Sequence, residues 1–186
     1  FLGSEHGPFM IPNPDLAAKA VQPPAGMDVT RFSNRYKAFA KLAEASPIAR
    51  HGSSYQRGSL LRSMDNAYRI LSDKKAARAF DISLENKDSF KKYDTGQFGR
   101  GCLFARSFVE ARARFIEVPT GYYPIKKRDT HENGHTTVRQ MKKEIDRPIA
   151  QLILDLEARG LLNRTLVGLA SEFSRDMIIE GVPGSS

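Results

Sequence analysis

Arg114–Phe115–Ile116–Glu117–Val118–Pro119 interrupts a helical pattern, and its reading decides the fold. The run is short, β-branched and aromatic, and Thr120–Gly121 closes it with a turn signal. It reads as a buried strand. Thr165–Leu166–Val167–Gly168–Leu169–Ala170 reads as a second one. Between them a helix is predicted from about Asp146, with Pro148 in its first turn, where a missing N–H costs nothing. Ile149, Leu152, Ile153 and Leu156 form its apolar stripe, and Gly160 supplies a left-handed stop. Thr136 to Glu144 is a further helical stretch. Strand, loop, helix, strand makes a βαβ unit, with parallel strands and a right-handed crossover. The expected fold class is therefore α/β with a mostly parallel central sheet, in which ligands bind at the carboxyl ends of the strands.

Upstream the signals are helical. In Phe98 to Ala113, Phe98, Cys102, Ala105 and Val109 share one face, with Leu103, Phe104 and Phe108 beside it. Cys102 on that face reads as a buried structural thiol. Residues 82–97 are polar and carry turn signals. Helices are predicted over Arg31–Ala45, capped from Asp28 to Thr30 and ended by Ser46–Pro47, and over Gly58–Leu71. A short one follows from Lys74 to Phe80. Pro8, Pro12, Pro14, Pro23, Pro24 and Gly26 make the first 27 residues irregular. The organisation expected is one partial domain over residues 1–186. An irregular and helical insert region covers 1–97, and a helix–strand–loop–helix–strand core covers 98–186. The chain opens on Phe1 and closes on Gly181–Val182–Pro183–Gly184–Ser185–Ser186, which reads as an internal fragment of a larger domain.

Composition narrows the function classes. The chain has 186 residues, 40% hydrophobic and 27% charged, which excludes collagenous or wholly disordered chains. No run approaches the roughly 20 apolar residues of a membrane span. A single cysteine excludes an internal disulfide and any multi-cysteine metal site. The net charge of +8 favours anionic partners, but cations and aromatics do not interleave into a nucleic-acid motif. His51 with Ser53–Ser54 lacks a nucleophile-elbow context, and Gly99–Arg100–Gly101 lacks the lysine of a phosphate loop.

Two polar clusters follow the two expected strands. Asp129–Thr130–His131–Glu132–Asn133–Gly134–His135 holds two of the chain's four histidines. Ser171–Glu172–Phe173–Ser174–Arg175–Asp176 follows the second run. Asp129 and His131 have the spacing for two ligands on one divalent ion if the backbone is extended, and Glu172 adds a further carboxylate. Asn133 offers an amide to the ion or to a substrate oxygen, and Arg175 suits bidentate binding of phosphate or sulfate. A D-x-H triplet is also a common solvated pattern, and Glu172 reads equally as a cap or a salt-bridge partner. Placement at two strand ends is what favours a site.

Four segments resemble one family, and a fifth, Phe1 to Met10, resembles its upstream G-x-x-x-x-P-F segment. Gln97 to Arg106, continuing through Ala113–Arg114–Phe115–Ile116–Glu117–Val118, is the first. Arg128–Asp129–Thr130–His131–Glu132–Asn133 is similar to a W-D-T-H-x-N motif. Asp146–Arg147–Pro148–Ile149–Ala150 through Gly160–Leu161–Leu162 is the third, and Thr165–Leu166–Val167 to Glu172–Phe173–Ser174–Arg175 the fourth. Together they resemble the sulfatase-like bacterial family catalogued as domain of unknown function 1501, of the alkaline phosphatase superfamily. The resemblance implies a large α/β sandwich and hydrolysis of a phosphate or sulfate ester assisted by a divalent ion such as zinc, manganese or calcium. It implies Asp129, His131 and Glu172 as metal ligands, Asn133 and Arg175 as contacts to a small anionic substrate, and an extracytoplasmic location. It also implies a nucleophile outside this chain, so that the chain alone is catalytically incomplete. Phe173 stands where relatives in the superfamily have His. That keeps open the alternative of a non-catalytic relative that binds a ligand or partner.

Overall fold

The computed structural model describes residues 6–93, 96–120 and 134–170. The chain divides into two compact units between Leu84 and Glu85. The first holds a 3-10 turn at Pro14–Leu16, then α1 (Ala17–Ala20), α2 (Val29–Ala45), α3 (Pro47–His51), α4 (Ser54–Ser72), α5 (Lys74–Ala79) and a 3-10 turn at Ile82–Leu84. The second holds α6 (Lys87–Tyr93), α7 (Gln97–Glu110), α8 (Gly134–Ala158) and a 3-10 turn at Leu162–Arg164.

Local chemistry sets the helix ends of the first unit. Asp28 Oδ1 accepts the Arg31 N–H at 2.7 Å and starts α2. Ser46 ends it in an extended conformation, because a residue before proline avoids the helical region. Ser53 and Gln56 form a reciprocal capping box at the start of α4. Asp73 ends α4 and accepts the Lys75 and Ala76 N–H groups that open α5. α2 and α4 meet through aromatic rings. Tyr68 stacks on Tyr36 at 4.3 Å and on Phe32 at 5.6 Å. Tyr36 Oη donates to Asp65 at 3.0 Å and Tyr68 Oη to Ser33 Oγ at 3.2 Å.

In the second unit α7 and α8 pack together, with α6 against both. The core comprises Tyr93 from α6, Cys102, Leu103, Phe104 and Ala105 from α7, and Pro148 and Leu156 from α8. Both long helices end in the same motif. After α8, Gly160 takes φ +64; its N–H bonds Glu157 O at 2.9 Å, and the Leu161 N–H bonds Leu156 O at 2.8 Å. After α7, Arg112 takes φ +68; its N–H bonds Val109 O at 3.0 Å, and the Ala113 N–H bonds Phe108 O at 2.8 Å. The Gly160 stop is as the sequence indicates, and so is the burial of Cys102.

The α/β expectation is corrected. The described residues contain no strand and no sheet; their regular structure is helical. Residues 114–119 and 165–170 have no ladder partner among the described residues. The first run keeps the period of a strand: Ile116 and Val118 are half-buried, whereas Phe115 and Glu117 are exposed. Its inward side chains meet a helix, however, since Val118 lies against Gly101 of α7. A strand exists only when a neighbour takes its N–H and C=O groups, and alternating apolar residues do not guarantee one. In the second run Leu166 and Leu169 are 97% and 75% exposed, so the expected buried strand is not found there.

Two helix readings are also revised. α8 begins at Gly134 and runs through Pro148, rather than starting near Asp146. An interior proline costs about 3 kcal/mol or more. Pro148 is fully buried between its neighbours, and that packing offsets the loss. α6 lies in the polar stretch 82–97, where turns are expected. Its first turn is capped by Asn86 Oδ1, which accepts the Ser89 N–H at 2.7 Å. Its anchor is the single buried ring of Tyr93.

Candidate functional site

Asp129, His131, Asn133, Glu172 and Arg175 all lie outside the described residues. Asn133 immediately precedes α8, and Glu172 stands two positions after the run 165–170. Among the described residues no three His, Cys, Asp or Glu side chains are arranged to hold a metal. Ser53 is explained as a helix cap: its Oγ accepts the Gln56 N–H at 3.2 Å.

The described residues bring together a different polar cluster, centred on Arg106. Its side chain is 4% exposed, in the most apolar stretch of α7. Nη2 pairs with Glu85, which stands just before α6. Nη1 donates to both Glu110 oxygens at 3.3 Å, one helical turn on. Nε lies 3.8 Å from Asp155 Oδ2 of α8, outside hydrogen-bond distance. Asp155 also accepts from Tyr93 Oη at 3.0 Å and from Gln151 Nε2 at 2.9 Å. Arg159 of α8 closes the ring, with Nε on Glu110 and Nη1 3.6 Å from Asp155 Oδ1. Two guanidinium groups thus face three carboxylates.

Arg106, Tyr93 and the neighbouring Cys102 hold their protons more firmly than usual. Burial opposes the charge of Arg106, but the hydrogen bond and charge of Glu85, then Glu110, outweigh it and raise its pKa. Burial, then the Asp155 charge and hydrogen bond, raises the Tyr93 phenol far above its ordinary range. Burial alone pushes the neighbouring Cys102 thiol up to about 12. A thiol held protonated is a poor nucleophile, because the thiolate is the reactive form. A phenol committed to a carboxylate is a poor acid. The cluster therefore ties α6, α7 and α8 together and offers no reactive group.

The sequence pattern does not reveal this cluster. Arg106–Glu110 and Asp155–Arg159 are readable as pairs one turn apart. Glu85 and Asp155 join them only through packing, although a charged residue inside Cys102–Leu103–Phe104–Ala105–Arg106 signals a buried ion pair.

No described helix is long and apolar enough to cross a membrane. The family model described as "Protein of unknown function (DUF1501)" matches residues 1–185. No curated protein and no solved structure matches the chain.

Proposed function

The chain belongs to the DUF1501 family of proteins of unknown function, and from that premise we propose a metal-dependent hydrolase of phosphate or sulfate esters. One observation carries the reading. Arg128–Asp129–Thr130–His131–Glu132–Asn133, inside a family match covering 1–185, sets a carboxylate, an imidazole and an amide at alternate positions directly before α8. Its similarity to the sulfatase-like members of the alkaline phosphatase superfamily supplies the reaction class.

The donor set fits a divalent ion. Carboxylate oxygens and an imidazole nitrogen suit zinc or manganese, and the oxygens alone suit calcium. Asp129 and His131 would hold it, with Glu172 as the third ligand. A bound ion supplies Lewis-acid polarisation of the ester oxygen. Arg175 binds the anionic group through its planar fork, and Asn133 orients a substrate oxygen. The net charge of +8 draws anionic esters towards the protein. Phe173, in place of a histidine, favours a second reading in which the chain binds a ligand or partner without turning it over.

The test is metal content after extensive dialysis, for the protein and for an Asp129→Ala/His131→Ala variant. Stoichiometric metal that disappears in the variant is the expected result. If both folded proteins remain empty after exposure to zinc, manganese and calcium, the hydrolase reading falls and the non-catalytic one stands.

A further inference from the structure

The outward face of α2 is basic. From Val29 to Ala43 the sequence has four cations, Arg31, Arg35, Lys37 and Lys41, and no carboxylate. Spacings of three and four residues put Arg31, Arg35 and Lys41 on one face with Ala38 and Leu42. All five are exposed, Leu42 at 72%. None of the three cations makes an ion pair among the described residues. Phe32 and Tyr36, on the other side of α2, make the stack on α4, so this face takes no part in that packing. Arg31 and Arg35, with Asp28, Thr30, Asn34 and Ala38, line an open depression of about 460 Å³, in which the one carboxylate, Asp28, is engaged with the Arg31 N–H.

Inside α2, past its N-cap, the charges run against the helix dipole. A helix N-terminus favours acids and a C-terminus favours bases. α2 has no acid in its first turn and no base in its last. It carries Arg31 in the first and Glu44 in the last. The carboxylate of Asp28 at the N-cap meets the dipole at that end, and Arg31 inside the first turn is the charge that helix stability does not ask for.

We propose that this face of α2 docks an acidic segment of a partner protein, its carboxylates over Arg31, Arg35 and Lys41 and an apolar side chain on Ala38 and Leu42. Charge complementarity carries the choice, and an apolar stripe rimmed by cations is the surface an acidic amphipathic segment matches. A single-stranded nucleic acid asks for stacking platforms beside the cations, whereas the α2 aromatics Phe32 and Tyr36 stack on α4, and a duplex enters the test as a competitor. A membrane surface asks for a broader apolar face than Leu42 provides.

The test uses the full chain and a short acidic peptide with leucines at helical spacing. The peptide is expected to bind at low salt and to weaken as salt rises. Reversing the face with Arg31→Glu, Arg35→Glu and Lys41→Glu should weaken binding about tenfold or more. A charge-matched reversal on α5, Lys74→Glu, Lys75→Glu and Arg78→Glu, should leave it unchanged. The thermal midpoint of the α2 variant should stay within a few degrees of the parent, because all three side chains are exposed and make no ion pair among the described residues. The proposal is overturned if the peptide does not bind at low salt, if both reversals weaken it equally, or if the α2 reversal leaves binding unchanged. It is also overturned if duplex DNA or anionic vesicles bind the same three residues more tightly than the peptide does.

Discussion

Gly101 and Val118 are so close that a Cβ on Gly101 would lie 2.7 Å from Val118 Cγ1. The bare helix position admits the extended run 114–119 against α7. Alanine in a helix ordinarily gains about 1 kcal/mol over glycine. Overpacking here costs about 1–3 kcal/mol. Gly101→Ala is therefore expected to destabilise the protein by about 1 kcal/mol in urea unfolding. In a Val118→Ala background the same substitution should become stabilising. An unchanged sign in both backgrounds would show that the contact does not constrain the run.

Arg106 sits among Glu85, Glu110 and Asp155 at 4% exposure. Removing Arg106 leaves Glu85 without its cation, while Glu110 and Asp155 keep Arg159, at a cost of about 1–3 kcal/mol. Arg106→Ala should lose stability on that scale by chemical denaturation.

Cys102 gives a pH dependence with a definite sign. In the unfolded chain its thiol ionises near its ordinary value of 9.0; in the folded chain it holds its proton to about 12. The folded state binds more protons across that window. This contribution is fully present below about pH 9 and is lost as pH rises towards 12. Tyr93, raised for the same reason of burial, acts in the same direction. Urea midpoints should fall steadily above about pH 9, and less steeply in Cys102→Ala. Near neutral pH, a thiol reagent should label Cys102 only after unfolding.

Arg112 holds the left-handed conformation, at φ +68, that glycine adopts without steric penalty. Arg112→Gly should stabilise the protein by up to about 1 kcal/mol, reduced by the greater freedom of glycine in the unfolded chain. Gly160→Ala, at φ +64, should do the opposite by a similar amount. Thermal unfolding of the two variants checks both signs.

Helices were legible wherever the apolar residues and the caps agreed. α2, α4, α5 and α7 follow the spacing of their apolar faces, and Asp28 and Gly160 mark ends that the backbone confirms. α6 was not legible, because one buried ring anchors an otherwise polar helix. Pro148 misdirected the start of α8, because a proline signals a first turn and its interior burial is a property of packing. The five candidate site residues were chosen on residue type and motif, and they lie outside the described residues.

The sequence by itself determined where most of these helices form, since capping side chains and the period of apolar residues act within a few neighbours along the chain. It also determined the family and the basic balance. Only the tertiary structure decided what the extended run 114–119 lies against, and which carboxylates surround Arg106. Period-two alternation says which side of a run is apolar but not whether a helix or another strand covers it. A buried charge must likewise find its counter-ions wherever packing brings them, here from Glu85 and Asp155, far apart along the chain.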